Sequence, residues 1–118
     1  MPNMVVEKIF SFDSAHFLPN VPEDHKCRNL HGHTYTVKIS VSGELDPKMG
    51  WVFDFGEVKK VAKPLIKRLD HSLLNEIEGL ENPTAENLAF WFWNQMKSAL
   101  PNLFEITIME NPTNIVRY

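Results

Sequence analysis

The run from Thr34 to Gly43 constrains the fold of this chain more than any other segment. Large apolar and polar side chains alternate along it, and the apolar set is Tyr35, Val37, Ile39 and Val41. A period of two predicts a half-buried β-strand. Extending the period backwards places His31 and His33 on the apolar side, so both imidazoles face the interior. A His-x-His pair on one strand face is a chelate for a transition metal.

A third imidazole that could join this pair is His16, which closes the apolar-rich segment Ile9 to Ala15. Weaker alternation along that segment predicts a strand. If the two strands pair as a hairpin, His16 faces His31 and His33. Three neutral histidines with a free fourth position are typical of a catalytic zinc, so we expect a zinc site made by His16, His31 and His33.

The chain has one cysteine, Cys27, four residues before His31. A single cysteine excludes an intramolecular disulfide and indicates a reactive thiol near the expected metal. Its position leaves two interpretations open. The thiol is a proton acceptor beside a catalytic metal, or it is a fourth ligand that closes a structural zinc site in a binding or assembly module.

Length and charge limit the classes of function. At 118 residues we expect one domain, 1–118, with a single core. The net charge is −3 and no basic stripe is evident, so nucleic acid is not an expected partner. We find no apolar run long enough to cross a bilayer and no export signal, so we expect no membrane partner and a cytoplasmic location.

Two helices are predicted in the middle of the chain. Asp54 and Glu57 have capping-box spacing, and a helical apolar pattern predicts a first helix over roughly 55–68, bent or shortened at Pro64. A second helix follows Thr84, which is placed to cap it. The predicted buried stripe of this helix is Leu88, Trp91, Phe92, Met96, Ala99 and Leu100.

Two short strands complete the predicted order strand, strand, helix, helix, strand, strand. The first spans 103–110, with Phe104, Ile106 and Ile108 on one face, and the second spans 115–118. The order predicts an α+β fold: a four-stranded antiparallel sheet of two hairpins with both helices on one face. Its open edges favour pairing between subunits or closure into a barrel, so we expect a homo-oligomer.

Two further groups are candidates for chemistry. Asp70 and His71 follow the first helix, where they could act as a proton relay with Cys27, or cap a turn and complement the helix end. Neighbouring residues do not usually face each other, so contact between these two is not required. Glu110 shares the parity of Ile106 and Ile108. An inward carboxylate needs a partner, such as a ring that carries N–H donors.

These motifs, in their order along the chain, closely resemble those of the 6-pyruvoyltetrahydropterin synthase family. The resemblance spans nearly the whole chain and rests on Phe12-x-x-Ala15-His16, Cys27-x-x-x-His31-Gly32-His33, Gly50-Trp51-Val52-x-Asp54-Phe55, Leu69-Asp70-His71, Asn82-Pro83-Thr84-x-Glu86 and Glu110. The spacing of three residues between the cysteine and His-Gly-His is similar to the bacterial 6-carboxy-5,6,7,8-tetrahydropterin synthase branch of queuosine biosynthesis.

The resemblance implies a tunnelling fold that oligomerises into a barrel, a hexamer built from trimers, with active sites at subunit interfaces. It implies that 7,8-dihydroneopterin triphosphate is converted to 6-carboxy-5,6,7,8-tetrahydropterin with release of acetaldehyde and triphosphate.

It also implies a role for each site residue. The zinc ligands are His16, His31 and His33; Cys27 is the proton acceptor; Asp70 and His71 form a relay; Glu110 anchors the pterin ring, and Thr84 assists. Lys26, Arg28 and Lys38 are candidates for holding the triphosphate. The alternative within the family is a 6-pyruvoyltetrahydropterin synthase proper, which eliminates triphosphate without cutting the side chain.

Overall fold

The computed structural model describes residues 2–118, which form five β-strands and two α-helices. The elements are β1 (Asn3–His16), β2 (His31–Glu44), α1 (Phe55–Leu69), β3 (Ser72–Leu73), α2 (Ala85–Met96), β4 (Leu103–Asn111) and β5 (Asn114–Arg117). Short 3-10 turns lie at Lys26–Arg28 and Leu74–Glu76. No helix in this part of the chain is long and apolar enough to cross a membrane.

The five strands form one sheet in the order β3-β1-β2-β4-β5. The α+β class, the helix pair and the two antiparallel hairpins agree with the prediction. The predicted count of four strands is corrected to five, because Ser72 and Leu73 pair in parallel with Ser14 and Ala15 at the free edge of β1. A two-residue strand is too short to show any period in the sequence.

The long hairpin of β1 and β2 positions the predicted site. Its register runs without interruption from Asn3 opposite Glu44 to His16 opposite His31. One face of the hairpin is buried, and Phe12, Tyr35, Val37, Ile39 and Val41 on that face are at most 3% exposed. Because side chains alternate between faces, the same face carries His16 and His33 at the end of the hairpin.

Both helices begin where the sequence predicts. Asp54 caps α1 by accepting a hydrogen bond from Gly56 N at 2.8 Å, and Thr84 caps α2 by accepting one from Asn87 N at 3.1 Å. The helix is not shortened at Pro64, since α1 continues to Leu69. Helix α2 ends at Met96, so Ala99 lies beyond it and is exposed rather than buried as predicted.

The prediction that Phe104 shares a face with Ile106 and Ile108 is also wrong. Ser40 pairs with Glu105 but Val41 pairs with Leu103, so the register shifts by one residue at this point of β4. The extra residue, Phe104, has no partner across the ladder and is 53% exposed, whereas Leu103, Ile106 and Ile108 are buried. A bulge of this kind turns one side chain away from the face that strict alternation assigns to it.

Candidate metal and pterin site

The three histidines selected from the sequence lie together at the end of the β1–β2 hairpin. His16 and His31 are direct cross-strand partners, and His33 is two residues further along β2 on the same face. The ring centroids of the three pairs are 4.6, 5.1 and 5.0 Å apart. One nitrogen from each ring lies within 4.8 Å of the other two, which is a spacing that a single metal ion can bridge.

Backbone carbonyls fix the orientation of two of these rings. His16 Nδ1 lies 2.8 Å from Pro83 O, and His31 Nδ1 lies 2.6 Å from Asn29 O. A carbonyl oxygen only accepts, so both Nδ1 atoms carry the hydrogen, and Nε2 is the nitrogen that each ring can offer to a metal. This second shell of hydrogen bonds is the arrangement that orients metal-ligating histidines.

The Nε2 atoms of His16 and His31 face each other. They are 3.0 Å apart, a distance at which two lone pairs repel unless a proton or a metal ion lies between them. His33 Nε2 is buried and has no hydrogen-bond partner among the described residues. Its nearest acidic neighbour is Glu110 Oε1 at 3.6 Å. These three nitrogens fit a metal such as zinc.

Burial lowers the pKa of two of the three histidines, His16 and His33. Desolvation lowers the pKa of His16, and it also lowers the pKa of His33 despite the opposing charge of Glu110. Beneath them, Tyr35 is fully buried, and burial raises the pKa of its phenol well above its usual range. Two of the imidazoles are therefore held neutral near pH 7, which is the form that binds metal.

Cys27 lies in the 3-10 turn beside the cluster. The turn is held by the bond from Cys27 N to His25 Nδ1 at 3.0 Å, and Cys27 lines a cavity of about 400 Å³ together with His31, His33 and Glu110. Its sulfur is not part of the group of ligand atoms that lie within 4.8 Å of one another. Within residues 2–118 the histidine cluster therefore faces a cavity and is not closed by a fourth protein ligand.

Glu110 lies where a second bulge interrupts the β4–β5 hairpin. Met109 pairs with Ile115 and Asn111 pairs with Asn114, which leaves Glu110 as the extra residue. Its side chain is 23% exposed, as expected for a carboxylate at the rim of a cavity. Glu110 also lines a second cavity of about 550 Å³, which includes the predicted residue Thr84. The carboxylate is therefore shared by two adjoining cavities.

Sequence reasoning did not select Asn114 as a site residue. Together with Glu110, it lines both of these cavities. No pattern in the sequence marks it, because its position follows from the hairpin turn and the bulge rather than from a motif.

Asp70 and His71 are in contact, which the sequence did not require. His71 Nδ1 lies 3.0 Å from Asp70 Oδ2, and the contact is possible because His71 has a left-handed backbone conformation with φ of 57°. The backbone of Asp13 holds the pair: its N–H donates to Asp70 Oδ1 at 2.9 Å, and its carbonyl accepts from His71 N at 2.6 Å. The Asp13 N–H and His71 lower the pKa of the Asp70 carboxyl.

The structure does not bring His71 and Cys27 to one cavity of the same chain. His71 lines a separate cavity of about 540 Å³ that includes Asp13 and His33, and its side chain is 78% exposed. His33 therefore lines both the cavity of Cys27 and the cavity of His71.

The three basic residues that are candidates for phosphate binding lie in different parts of the structure. Lys26 lines the cavity of Cys27. The guanidinium of Arg28 instead donates a hydrogen bond to Val21 O at 2.9 Å. Lys38 lies on the face of β2 opposite to the face that carries His33. Of the three, Lys26 is the cation that faces the candidate site.

The sheet order, the helix pair and the site at the hairpin end define this chain as a protein of the tunnelling-fold class. The sequence profile of the 6-pyruvoyl tetrahydropterin synthase family matches residues 5–118. The chain belongs to that family.

Three known proteins illustrate the similarity. A 6-carboxy-5,6,7,8-tetrahydropterin synthase from Synechocystis sp. is 37% identical, over 97% of this chain and 92% of that protein. A dihydroneopterin monophosphate aldolase from Pyrococcus furiosus is 41% identical, over 77% of this chain and 73% of that protein. The solved structure of Caenorhabditis elegans 6-pyruvoyl tetrahydropterin synthase superposes with a TM-score of 0.92 and 32% identity, covering 100% of this chain and 96% of that one.

Proposed function

We propose that this chain is a zinc-dependent carbon–carbon lyase that converts 7,8-dihydroneopterin triphosphate and water to 6-carboxy-5,6,7,8-tetrahydropterin, acetaldehyde and triphosphate in queuosine biosynthesis. The observation that carries the proposal is that Cys27, His31, His33 and Glu110 line one cavity. A metal-binding pair, a thiol and an acceptor for ring N–H groups are thereby within reach of one small substrate. The similarity to the Synechocystis synthase supports the same assignment.

In this proposal His16, His31 and His33 hold the metal through their Nε2 atoms. When bound, zinc supplies Lewis-acid chemistry that acidifies the hydroxyl groups of the substrate side chain. The protein contributes the orientation of the ligands, since the carbonyls of Pro83 and Asn29 fix two rings before any ion arrives.

Cys27 is proposed to accept the carbon-bound proton of the substrate as its thiolate. Its position in the cavity of His31 and His33 supports this role, because a base must lie within hydrogen-bond reach of the proton that it removes. Asp70 and His71 are proposed to move protons at another face of the substrate. Asp70 orients the imidazole by accepting from Nδ1 and leaves Nε2 of His71 for the transfer.

The ring of the substrate is proposed to lie against Glu110 and Thr84. A carboxylate accepts two N–H bonds from the edge of an aminopyrimidinone ring, and these charge-assisted bonds are stronger than bonds between neutral groups. The cavity shared by Glu110 and Thr84 supports this placement of the ring. The side chain then extends into the adjoining cavity of Cys27, where Lys26 faces the phosphates.

We further propose that the chain is one 6-pyruvoyltetrahydropterin synthase-like domain that assembles as a homo-oligomer, a hexamer built from trimers. Val5, Ile9 and Phe104 lie on the sheet and are 52 to 54% exposed, which supports a sheet surface covered by other copies. Active sites between copies would bring His71 of one subunit towards Cys27 of another. The high exposure of His71 and its separate cavity support this arrangement.

A second candidate is 6-pyruvoyltetrahydropterin synthase itself, which uses the same substrate and eliminates triphosphate. The TM-score of 0.92 with the Caenorhabditis elegans structure favours it as the alternative. The two activities differ in product, because only the first releases acetaldehyde.

The test is to incubate zinc-loaded protein with 7,8-dihydroneopterin triphosphate, to measure acetaldehyde and to identify the pterin by mass. Carboxytetrahydropterin with acetaldehyde is the expected result. Pyruvoyltetrahydropterin without acetaldehyde would move the assignment to the second candidate. The matched control is Cys27→Ala, which removes the proposed base and should abolish turnover. No turnover of a zinc-loaded wild type would favour the structural-module interpretation.

A further inference from the structure

Asn114 occupies the junction of the two cavities that the proposed substrate would span. Glu110 and Asn114 are the residues that line both the cavity of Cys27 and the cavity of Thr84. A group at this junction can contact the ring of a bound molecule close to the ring edge that Glu110 binds.

The turn of the β4–β5 hairpin fixes the backbone of Asn114. Asn111 Oδ1 accepts hydrogen bonds at 2.9 Å from Thr113 N, Thr113 Oγ1 and Asn114 N. Asn111 and Asn114 are also direct partners across the hairpin. The position of Asn114 is therefore set by the turn and does not depend on its own side chain.

The side-chain amide of Asn114 is available to a ligand. Among residues 2–118 none of the side-chain hydrogen bonds uses it, whereas the amide oxygen of neighbouring Asn111 is fully engaged in the turn. An amide offers two N–H donors besides its carbonyl acceptor, whereas a carboxylate such as Glu110 offers acceptors alone. Side by side, the two groups present complementary hydrogen-bonding capacity to one ring edge.

We propose that Asn114 is a specificity-determining residue, which donates an N–H to the ring carbonyl adjacent to the N–H groups bound by Glu110. The inference rests on the proposed function, because it assumes that Glu110 anchors a 2-amino-4-oxo pteridine ring. It extends that function by naming the side chain that donates a hydrogen bond to the 4-oxo group of the ring. A ring with an amino group at this position has no carbonyl to accept this N–H and also lacks the neighbouring ring N–H that Glu110 binds, so it is disfavoured.

The test compares the binding of two ring systems, pterin and 2,4-diaminopteridine, to the zinc-loaded protein by titration calorimetry. Asn114→Ala should weaken pterin binding about fivefold, as expected for the loss of one neutral hydrogen bond, and should change the diamino ligand less than about twofold. Asn114→Asp places an acceptor opposite the 4-position. It should shift the ratio of the two dissociation constants towards the diamino ring by about 30-fold.

Two controls separate this inference from the proposed function. Asn94→Asp changes an exposed asparagine on α2 in the same way and should leave the ratio unchanged. Glu110→Ala should weaken pterin binding. Pterin binding can depend on Glu110 while the ratio of the two dissociation constants is the same in wild type and Asn114→Asp. In that case the inference about Asn114 is wrong, and the proposal that Glu110 binds the ring is retained. If pterin does not bind, or binds independently of Glu110, both proposals fail.

Discussion

The metal dependence of thermal stability separates a three-histidine site from a site closed by Cys27. A ligand that binds the native state alone stabilises it by RT ln(1 + [L]/Kd), which is about 2.7 kcal/mol when free zinc is at 100 times its Kd. For a chain of 118 residues, 1 kcal/mol corresponds to a shift in Tm of about 4 °C. Saturating zinc should therefore raise the Tm of the wild type by about 11 °C.

Variants of His16 and Cys27 should differ in how much zinc raises their Tm. His16→Ala removes one of three nitrogens that lie within 4.8 Å of one another, and we expect zinc affinity to fall by at least about 100-fold. At the same free zinc the stabilisation then drops to about 0.4 kcal/mol, or about 2 °C in Tm. Cys27→Ala should keep the full shift, because the sulfur lies outside the ligand group.

The assay is differential scanning fluorimetry of metal-free protein at fixed free zinc, with zinc content measured by mass spectrometry. His25→Ala is the control for loss of a histidine outside the cluster: it removes the bond to Cys27 N and can lower the basal Tm, but it should keep the full zinc shift. A loss of zinc shift in Cys27→Ala as large as that in His16→Ala would refute the reasoning. It would make the thiol a ligand and the site a closed, structural one.

Three other perturbations have defined outcomes. Glu110→Gln should raise the KM for the pterin substrate roughly 10- to 100-fold, because a charged hydrogen-bond acceptor is lost, as steady-state kinetics would show. Burial lowers the pKa of His16 and His33 below 6.5, so the unfolded chain binds more protons. The free energy of unfolding of metal-free protein should fall as pH drops below about 6.5, measured by urea denaturation. Gly79→Ala should destabilise by about 1–3 kcal/mol in the same assay, since Gly79 has φ of 90° and its added Cβ would lie 3.2 Å from Trp91.

Each of these expectations has a result that contradicts it. An unchanged KM in Glu110→Gln, with a lowered kcat, would move Glu110 from ring binding to the chemical step. A flat dependence of unfolding free energy on pH would mean that the two histidines are as accessible to protons in the folded chain as in the unfolded one. An unchanged stability of Gly79→Ala would show that the turn relaxes around the new side chain.

Alternation and capping allow much of the site to be predicted from sequence. Strict period two in β2 predicts that His31 and His33 lie on the buried face, and the register of the hairpin places His16 opposite His31. Asp54 and Thr84 start their helices because their side-chain oxygens satisfy free backbone N–H groups. These signals are local, so a single sequence contains them.

The features that sequence reasoning missed depend on contacts between distant segments. The bulge at Phe104 arises because β4 must pair with β2, and nothing in the local pattern reports that shift. The left-handed conformation of His71 is held by the backbone of Asp13 across the sheet, and it creates the contact with Asp70. Asn114 enters the site through a turn and a bulge rather than a motif.

Strand β1 links the two halves of the proposed site through one rigid element. It carries His16, its backbone at Asp13 holds Asp70 and His71, and Ser14 Oγ donates to Leu69 O where α1 ends. Substitutions in the histidine cluster and in the Asp70–His71 pair should therefore be coupled, although His16 and His71 do not touch. Double-mutant cycles across β1 should give coupling energies of about 0.5–3 kcal/mol, whereas distant pairs that share no contact and no common partner should be additive.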